Sequence, residues 1–401
     1  MDLFHSFDWE ACRECGECLQ GCPVMGLSAD QAVTEIRRLK QGAPSRVLKR
    51  CTSCFACNFI CPRQCNPAQL ILARWQEIYH ERGLPARAAY FDTNHLPNFR
   101  THVVDRLPPE EKALVGSWQN MSPCEEIFYP GCNVITVPYL TRTRLLDGMA
   151  IRGSLDVCCG ETYYRMGLFD ELVQQGRRLQ KYFAALGVRR MIIPCTAGRN
   201  MFTNVLPAFG IRFDFTVTHL LELLWEKVAA GELRFPHPVN RTVTIQDSCY
   251  AKMFGPEYTA LPRKLLEAAG ATVIEEELHG QSALCCGIAG GFSPYSGYHP
   301  LDITLAAAKA LNQARKTGAR AVVTYCAGCL QMLSVGKIAY PVPRLPVYHL
   351  LEILQMAMGE TPDRRNRQRS WTMFGGVVKN QFPRLLSPRR HRVRVTDAAE
   401  R

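Results

Sequence analysis

The chain of 401 residues lacks any run of 18 apolar residues, which excludes a helix that spans a membrane. Its first residues, MDLFHSFDWEAC, lack a basic start and an apolar stretch, so no secretory signal is expected. A GxGxxG fingerprint is absent, so the chain is not expected to take hydride from a nicotinamide by itself. Acidic residues are the minority, 36 Asp and Glu against 48 Lys and Arg, for a net charge of +12. Cysteine, by contrast, is abundant: 19 residues, an odd number. Without export a disulfide framework is not expected, so these thiols need explaining as metal ligands or redox groups. A hydrophobic share of 47% with 21% charged residues reads as globular, with two or three domains and a cytoplasmic address.

The organisation follows from composition and repetition. Residues 1–90 read as a cysteine-rich domain that ends in a helix over 67–82, begun near Pro67 and stopped at Gly83. Residues 91–123, rich in Pro, Asn and Arg, read as a surface linker. Residues 124–235 and 236–359 read as two copies of one unit. Pro130-Gly131-Cys132 and Cys158-Cys159-Gly160 match Asp247-Ser248-Cys249 and Cys285-Cys286-Gly287. Gly187 and Cys195 match Gly318 and Cys326, and His219-Leu-Leu-Glu matches His349-Leu-Leu-Glu. Strand-like runs at 243–246, 271–275 and 321–324 alternate with helical runs at 261–269, 301–317 and 349–356. That alternation predicts an α/β fold with mainly parallel sheets, beside a small α-rich cysteine domain. Strands ending at Cys195 and Cys326 would set those thiols at carboxyl ends of a sheet, where open α/β folds place ligands.

Two cysteine runs carry the first chemistry. Cys12, Cys15, Cys18 and Cys22-Pro23 repeat the spacing of Cys51, Cys54, Cys57 and Cys61-Pro62. This is the bacterial two-cluster ferredoxin spacing, in which the fourth cysteine of each run ligates the other cluster. It predicts one 4Fe–4S cubane on Cys12, Cys15, Cys18 and Cys61, and another on Cys51, Cys54, Cys57 and Cys22. Paired zinc sites are the rival, but the doubled four-cysteine run is far more specific than CxxC. Gly16 would let the backbone pass close to sulfur. Cys65 has no slot in this scheme and reads as a buried thiol.

The second constellation is Cys249, Cys285, Cys286, Cys326 and Cys329. Five thiols exceed one tetrahedral zinc, and an adjacent pair that ligates must bridge a larger object. A polynuclear iron–sulfur site follows, with Gly287 to Gly291 allowing close backbone approach. The first copy has Cys132, Cys158, Cys159 and Cys195, but Gly198 stands where a fifth cysteine would be. A cluster, a zinc ion and an empty site remain open there, and Cys124 is a substitute ligand to consider. Asp247 and Tyr250, flanking Cys249, are candidates to orient it or relay a proton. A histidine at a helix start is usually structural, which is the expectation for His219 and His349.

With these motifs the chain resembles heterodisulfide reductase, with its small two-cluster subunit fused to its CCG-repeat subunit in one polypeptide. The resemblance covers residues 1 to about 357. It implies a noncubane 4Fe–4S cluster on Cys249, Cys285, Cys286, Cys326 and Cys329, where one iron binds substrate sulfur and a disulfide is cleaved. It implies an oxidoreductase subunit that depends on a flavoprotein or another electron donor. The same layout in 2-hydroxy-acid and glycerol-3-phosphate dehydrogenases implies a competing role, an electron wire to quinone. A non-catalytic docking role in a flavoprotein complex is the third reading.

Residues 360–401 form a basic tail. From residue 361 onward it holds 11 Lys and Arg and three Asp and Glu, so it supplies +8 of the total. Arginines flank Trp371, Phe374, Val377, Val378, Phe382, Leu385 and Leu386, which suits an acidic partner or the inner face of an anionic membrane. No nucleic-acid recognition fold accompanies it.

The crossed ligation is testable in the cubanes alone. Cys22→Ser is expected to damage the cluster nucleated by Cys51 to Cys57 and to leave that of Cys12 to Cys18 intact. In a redox titration, the reverse loss contradicts the pairing.

Overall fold

The computed structural model describes residues 4, 6–340 and 345–395. Among these it has nine strands in three sheets. They are β1 (Leu84–Pro85), β2 (Glu126–Phe128), β3 (Arg190–Ile193), β4 (Thr216–His219), β5 (Arg241–Ile245), β6 (Ala271–Val273), β7 (Val322–Thr324), β8 (Val347–His349) and β9 (Arg390–His391). One sheet is parallel with order β2-β3-β4, and the second is parallel with order β6-β5-β7-β8. The duplication is visible in that order: β2, β3 and β4 correspond to β5, β7 and β8. An isolated parallel bridge between Phe128 and Ile151 stands where β6 lies in the other copy. The fold is mixed α/β with a small helical cysteine domain in front.

The parallel topology determines where the cysteines go. Buried runs such as Met191-Ile192-Ile193 and Val322-Val323 are covered on both faces, as parallel sheets require. Each strand then releases its chain at the same end of its sheet. Cys132 follows β2, Cys195 follows β3, Cys249 follows β5 and Cys326 follows β7. Cys195 and Cys326 are themselves the N-caps of the helices Thr196–Asn200 and Ala327–Ala339.

The cysteine-rich front is built on short capped helices. Ser28 and Gln31 form a capping box at Ala29–Lys40, which buries Ala32, Ile36 and Leu39. The helix Pro67–Arg82 runs from Pro67 and stops at Gly83, whose φ is +66°. On it, fully buried Trp75 donates to the Leu48 carbonyl at 2.9 Å. Gly16, at φ +77°, is held close: a Cβ there would lie 2.6 Å from the Val33 nitrogen.

Two segments carry structure that their composition did not show. Residues 91–123 are not loosely wrapped. They carry the helices Phe99–Val104 and Pro109–Ser117 and bury Arg100, Val103, Glu111, Val115 and Trp118. The physical reason lies in the tail, which folds back as the helix Asn366–Asn380. Its Arg369 pairs with Glu111, both side chains at most 1% exposed, and Arg365 joins them at 2.8 Å. β9 then pairs antiparallel with β1, which ties residues 390–391 to the front domain. Composition alone showed the charge of both segments but not that the charges meet.

Breaking this pair is expected to be costly, because it strands a buried guanidinium. Glu111→Ala should lower unfolding free energy by about 3–5 kcal/mol in chemical denaturation. A loss under about 1 kcal/mol, typical of an exposed pair, would mean the tail does not pack this way.

Candidate functional site

The front thiols fall into two groups. Burial, followed by the charges of Cys61, Cys12 and Cys15, pushes the Cys18 thiol up. Burial and then Cys51, Cys18, Cys54 and Cys22 do the same to Cys57. Cys22 is likewise raised, by burial and then Cys54. Cys22, Cys51, Cys54 and Cys57 together line a cavity of about 20 Å³. The rest of its wall is largely apolar, including Leu19, Met25, Phe55 and Leu72. Four thiols facing one apolar space cannot all ionise without cationic charge among them, so this donor set fits an iron–sulfur cluster. Backbone N–H groups support the sulfurs: Ser53 donates to Cys51 at 3.2 Å and Cys65 to Cys61 at 3.5 Å. Cys65 itself is 1% exposed. Of the front thiols Cys15 is exposed, whereas Cys54, Cys57 and Cys61 are buried.

In the second unit the free thiols adjoin one another in turn, Cys249 beside Cys285, Cys285 beside Cys286, Cys286 beside Cys329, and Cys329 beside Cys326. All five are buried. Gly287 makes the adjacent pair possible. Its φ is +119°, and a Cβ would stand 2.7 Å from the backbone nitrogen of Ala307. In the first unit Cys132 and Cys158 lie 3.6 Å apart, and Cys158 neighbours Cys159. The two units meet at Cys195 and Cys326, which contact each other. The thiols of both units therefore form one continuous patch, buried except at half-buried Cys195.

Position 198 shows why the first unit has four thiols. A Cβ on Gly198 would lie 2.5 Å from Cδ1 of Ile193, so that isoleucine occupies the room a fifth cysteine needs. Cys132, Cys158, Cys159 and Cys195 line a cavity of about 30 Å³, with Arg100, Glu161 and Thr162 also in its wall. Cys124 is not part of it; its thiol donates to the Glu126 carbonyl at 3.1 Å. Among the described residues no group of three His, Cys, Asp or Glu side chains is arranged for a single metal ion.

Two buried arginines supply positive charge, and sequence reasoning missed both. Arg165 is 1% exposed and joins the front domain to the second unit. It donates to Cys249 at 3.2 Å, to Ser53 Oγ at 3.1 Å, to the Thr52 carbonyl at 2.8 Å and to Glu161 at 3.3 Å. Its guanidinium also lies 5.2 Å from the centre of the Tyr250 ring and 4.9 Å from that of Phe292. The only sequence signal was the Glu161–Arg165 spacing just after Cys158-Cys159-Gly160. Arg100 has Nε and one terminal nitrogen buried without a partner, and Cys132 and Cys158 lie within reach of its charge. An unpartnered buried cation beside thiols is what an anionic thiolate cluster requires.

Of the flanking candidates, Asp247 and the two histidines have structural partners. Asp247 accepts from Arg263 at 2.8 and 3.0 Å, from Gly280 N–H at 2.7 Å and from Tyr325 at 2.9 Å, so its oxygens are committed to holding the loop. Tyr250 is buried, with an unpartnered hydroxyl. His219 and His349 each cap a helix through Nδ1.

Comparison with known proteins agrees with this arrangement. Residues 5–62 match the family described as a 4Fe-4S dicluster domain, and residues 243–334 match the one described as a cysteine-rich domain. The chain is 25% identical to the EtfAB:quinone oxidoreductase of Syntrophomonas wolfei, across 88% of this chain and 58% of that protein. It is 26% identical to one subunit of the CoM/CoB fumarate reductase of Methanothermobacter marburgensis, across 87% and 72%. It is 21% identical to one subunit of the dihydromethanophenazine:CoB–CoM heterodisulfide reductase of Methanosarcina barkeri, across 87% and 94%. The chain thus spans little more than half of the first relative and nearly all of the last. Its relatives are iron–sulfur oxidoreductases and subunits of them, a heterodisulfide reductase subunit included. None of its helices, among the described residues, is long and apolar enough to cross a membrane.

Proposed function

We propose that the chain carries electrons inward through two cubanes to the five-thiol site of the second unit, and that a disulfide is reduced there. The observation that carries this reading is the sequence of contacts from surface to interior. Exposed Cys15 belongs to the first front group, and Cys18 of that group acts on Cys57 of the second. Arg165 then bridges the Thr52-Ser53 loop to Cys249. The first cubane is assigned to Cys12, Cys15, Cys18 and Cys61, and the second to Cys51, Cys54, Cys57 and Cys22. Cys249, Cys285, Cys286, Cys326 and Cys329 hold the noncubane-type cluster, and Cys132, Cys158, Cys159 and Cys195 are placed to hold a further cluster or a zinc ion.

Clusters held at these thiols would supply one-electron relay and, at the five-thiol site, a place for substrate sulfur to bind. The protein's own groups do the rest. Arg165 neutralises charge between front and interior, backbone N–H groups orient the sulfurs, and the apolar walls exclude water. The net step is a disulfide plus two electrons and two protons giving two thiols, the S–S bond breaking and the electrons arriving from a donor protein. A relay role that ends at quinone is the second reading. It is favoured by the similarity to a quinone oxidoreductase.

Cys286→Ser is expected to abolish disulfide turnover while both cubanes still reduce. Cys159→Ser should cost less. Iron analysis should find more iron than two cubanes hold. Iron at the two-cubane level contradicts the reading, and a wild-type spectrum unmoved by any added thiol favours the relay.

The donor is expected to dock at the tail. Trp371 and Phe382 are 53% and 51% exposed and Leu386 is 97% exposed, beside Arg384, Arg389 and Arg390. A cationic rim around apolar side chains fits an acidic flavoprotein surface. Phe382→Glu with Leu386→Glu should abolish co-purification with the native complex, and added salt should weaken the wild-type association. Unchanged co-purification, or loss of anionic-vesicle binding alone, contradicts a protein partner at this surface.

A further inference from the structure

His219 and His349 occupy matching places in the two units. Each ends a strand that runs parallel to the one feeding a cysteine. In register, His219 stands opposite Ile193 and His349 opposite Thr324, each two residues ahead of Cys195 or Cys326. Each also caps the helix that follows. His219 Nδ1 accepts from Leu221 N–H at 3.1 Å, and His349 Nδ1 from Leu351 N–H at 3.2 Å. Glu222 and Glu352 close the boxes by accepting from the two histidine backbones at 3.0 and 2.7 Å.

A nitrogen that accepts carries no proton, so each neutral ring has its proton on Nε2. Burial keeps both rings neutral, with the pKa pushed down to about 3 for His219 and to about 4 for His349. Both Nε2 atoms are buried, and neither has a hydrogen-bond partner. The side chains are at most 3% exposed, so neither N–H faces bulk solvent. Capping explains Nδ1 and leaves Nε2 without a purpose, twice, at equivalent positions. Both rings lie within reach of charge on Cys326, and His219 also within reach of His349. Cys326, which meets Cys195 of the other unit, is thus within electrostatic reach of both rings. The His219 ring is further held edge-on to Tyr258 at 5.3 Å, and Tyr258 hydrogen-bonds Thr196, the neighbour of Cys195.

We propose that His219 and His349 are paired positioning residues that donate their Nε2–H groups to sulfur of the clusters held at the Cys195–Cys326 junction. The inference rests on the reading that these thiols hold iron–sulfur clusters. Hydrogen bonds to cluster sulfur favour the reduced, more negative form and so raise the reduction potential.

Amide side chains separate the two roles of each ring. Asn can keep an acceptor near the Nδ1 place but has no donor at Nε2, whereas Gln can put an N–H near Nε2 and gives up the cap. In the full-length protein, His219→Asn with His349→Asn should shift the potential of the interior clusters negative and leave both cubanes unmoved. The two Gln substitutions should return that potential toward wild type while lowering the melting temperature. An unmoved potential in the Asn variant, with full iron content, overturns the proposal and leaves the histidines as caps only. A variant that loses iron is replaced by a measurement on wild type. With nitrogen-15 histidine, the reduced interior clusters should show a weak histidine-nitrogen coupling by pulsed electron paramagnetic resonance, and its absence overturns the proposal. Wild-type iron at the two-cubane level overturns the cluster reading and this inference together; higher iron without the coupling overturns this inference alone.

Discussion

Thiols gathered in an apolar interior can ionise only if cationic charge is placed among them, and the rest of the molecule is arranged around that condition. Burial and mutual repulsion hold Cys18, Cys51 and Cys57 protonated when they stand alone. Iron–sulfur clusters remove the conflict, and two arginines drawn into the interior reduce it further. Arg165 is the more informative of the two, because one guanidinium is shared by the front loop and Cys249. The same contact that balances charge joins the domains.

The parallel sheets make the condition achievable. Four of the thiols leave strand ends, and the Cys-Cys pairs come from the crossovers between strands. Two copies set with these ends together bring Cys195 against Cys326. The helix Ala327–Ala339 of the second unit is also anchored on the first, where Gln331 donates to the Asn133 carbonyl at 3.0 Å. Aromatic packing seals the space between front and interior: Phe55 stacks on Tyr164 with ring centres 5.8 Å apart and meets Tyr250 at the same distance. Such pairs add about 0.5–1.5 kcal/mol each beyond their buried area.

Much of this was legible in the sequence because spacing encodes it. The paired four-cysteine runs, the duplicated Gly-to-Cys interval and the short β-rich runs are local patterns, and the parallel α/β fold follows from them. What was not legible depends on contacts between distant residues. No spacing rule marks Arg100 or Arg165 as interior, since arginine is ordinarily a surface residue. The composition of residues 91–123 suggested a linker, because the Arg369 that pairs with Glu111 comes more than two hundred residues later. Gly198 was visible as a departure, but only the packing identified Ile193 as the side chain in its way. The histidines were read as structural, and they cap their helices, but their free Nε2 atoms could not be seen from the helix-start pattern.

The central claim is that the interior thiols hold iron in addition to the cubanes. Anomalous diffraction at the iron edge, on anaerobically grown crystals of the whole chain, tests it most directly. The account predicts iron peaks beside Cys18 and Cys57 and a separate peak enclosed by Cys249, Cys285, Cys286, Cys326 and Cys329. Peaks at the two front sites alone, with those five sulfurs surrounding no iron, would contradict it.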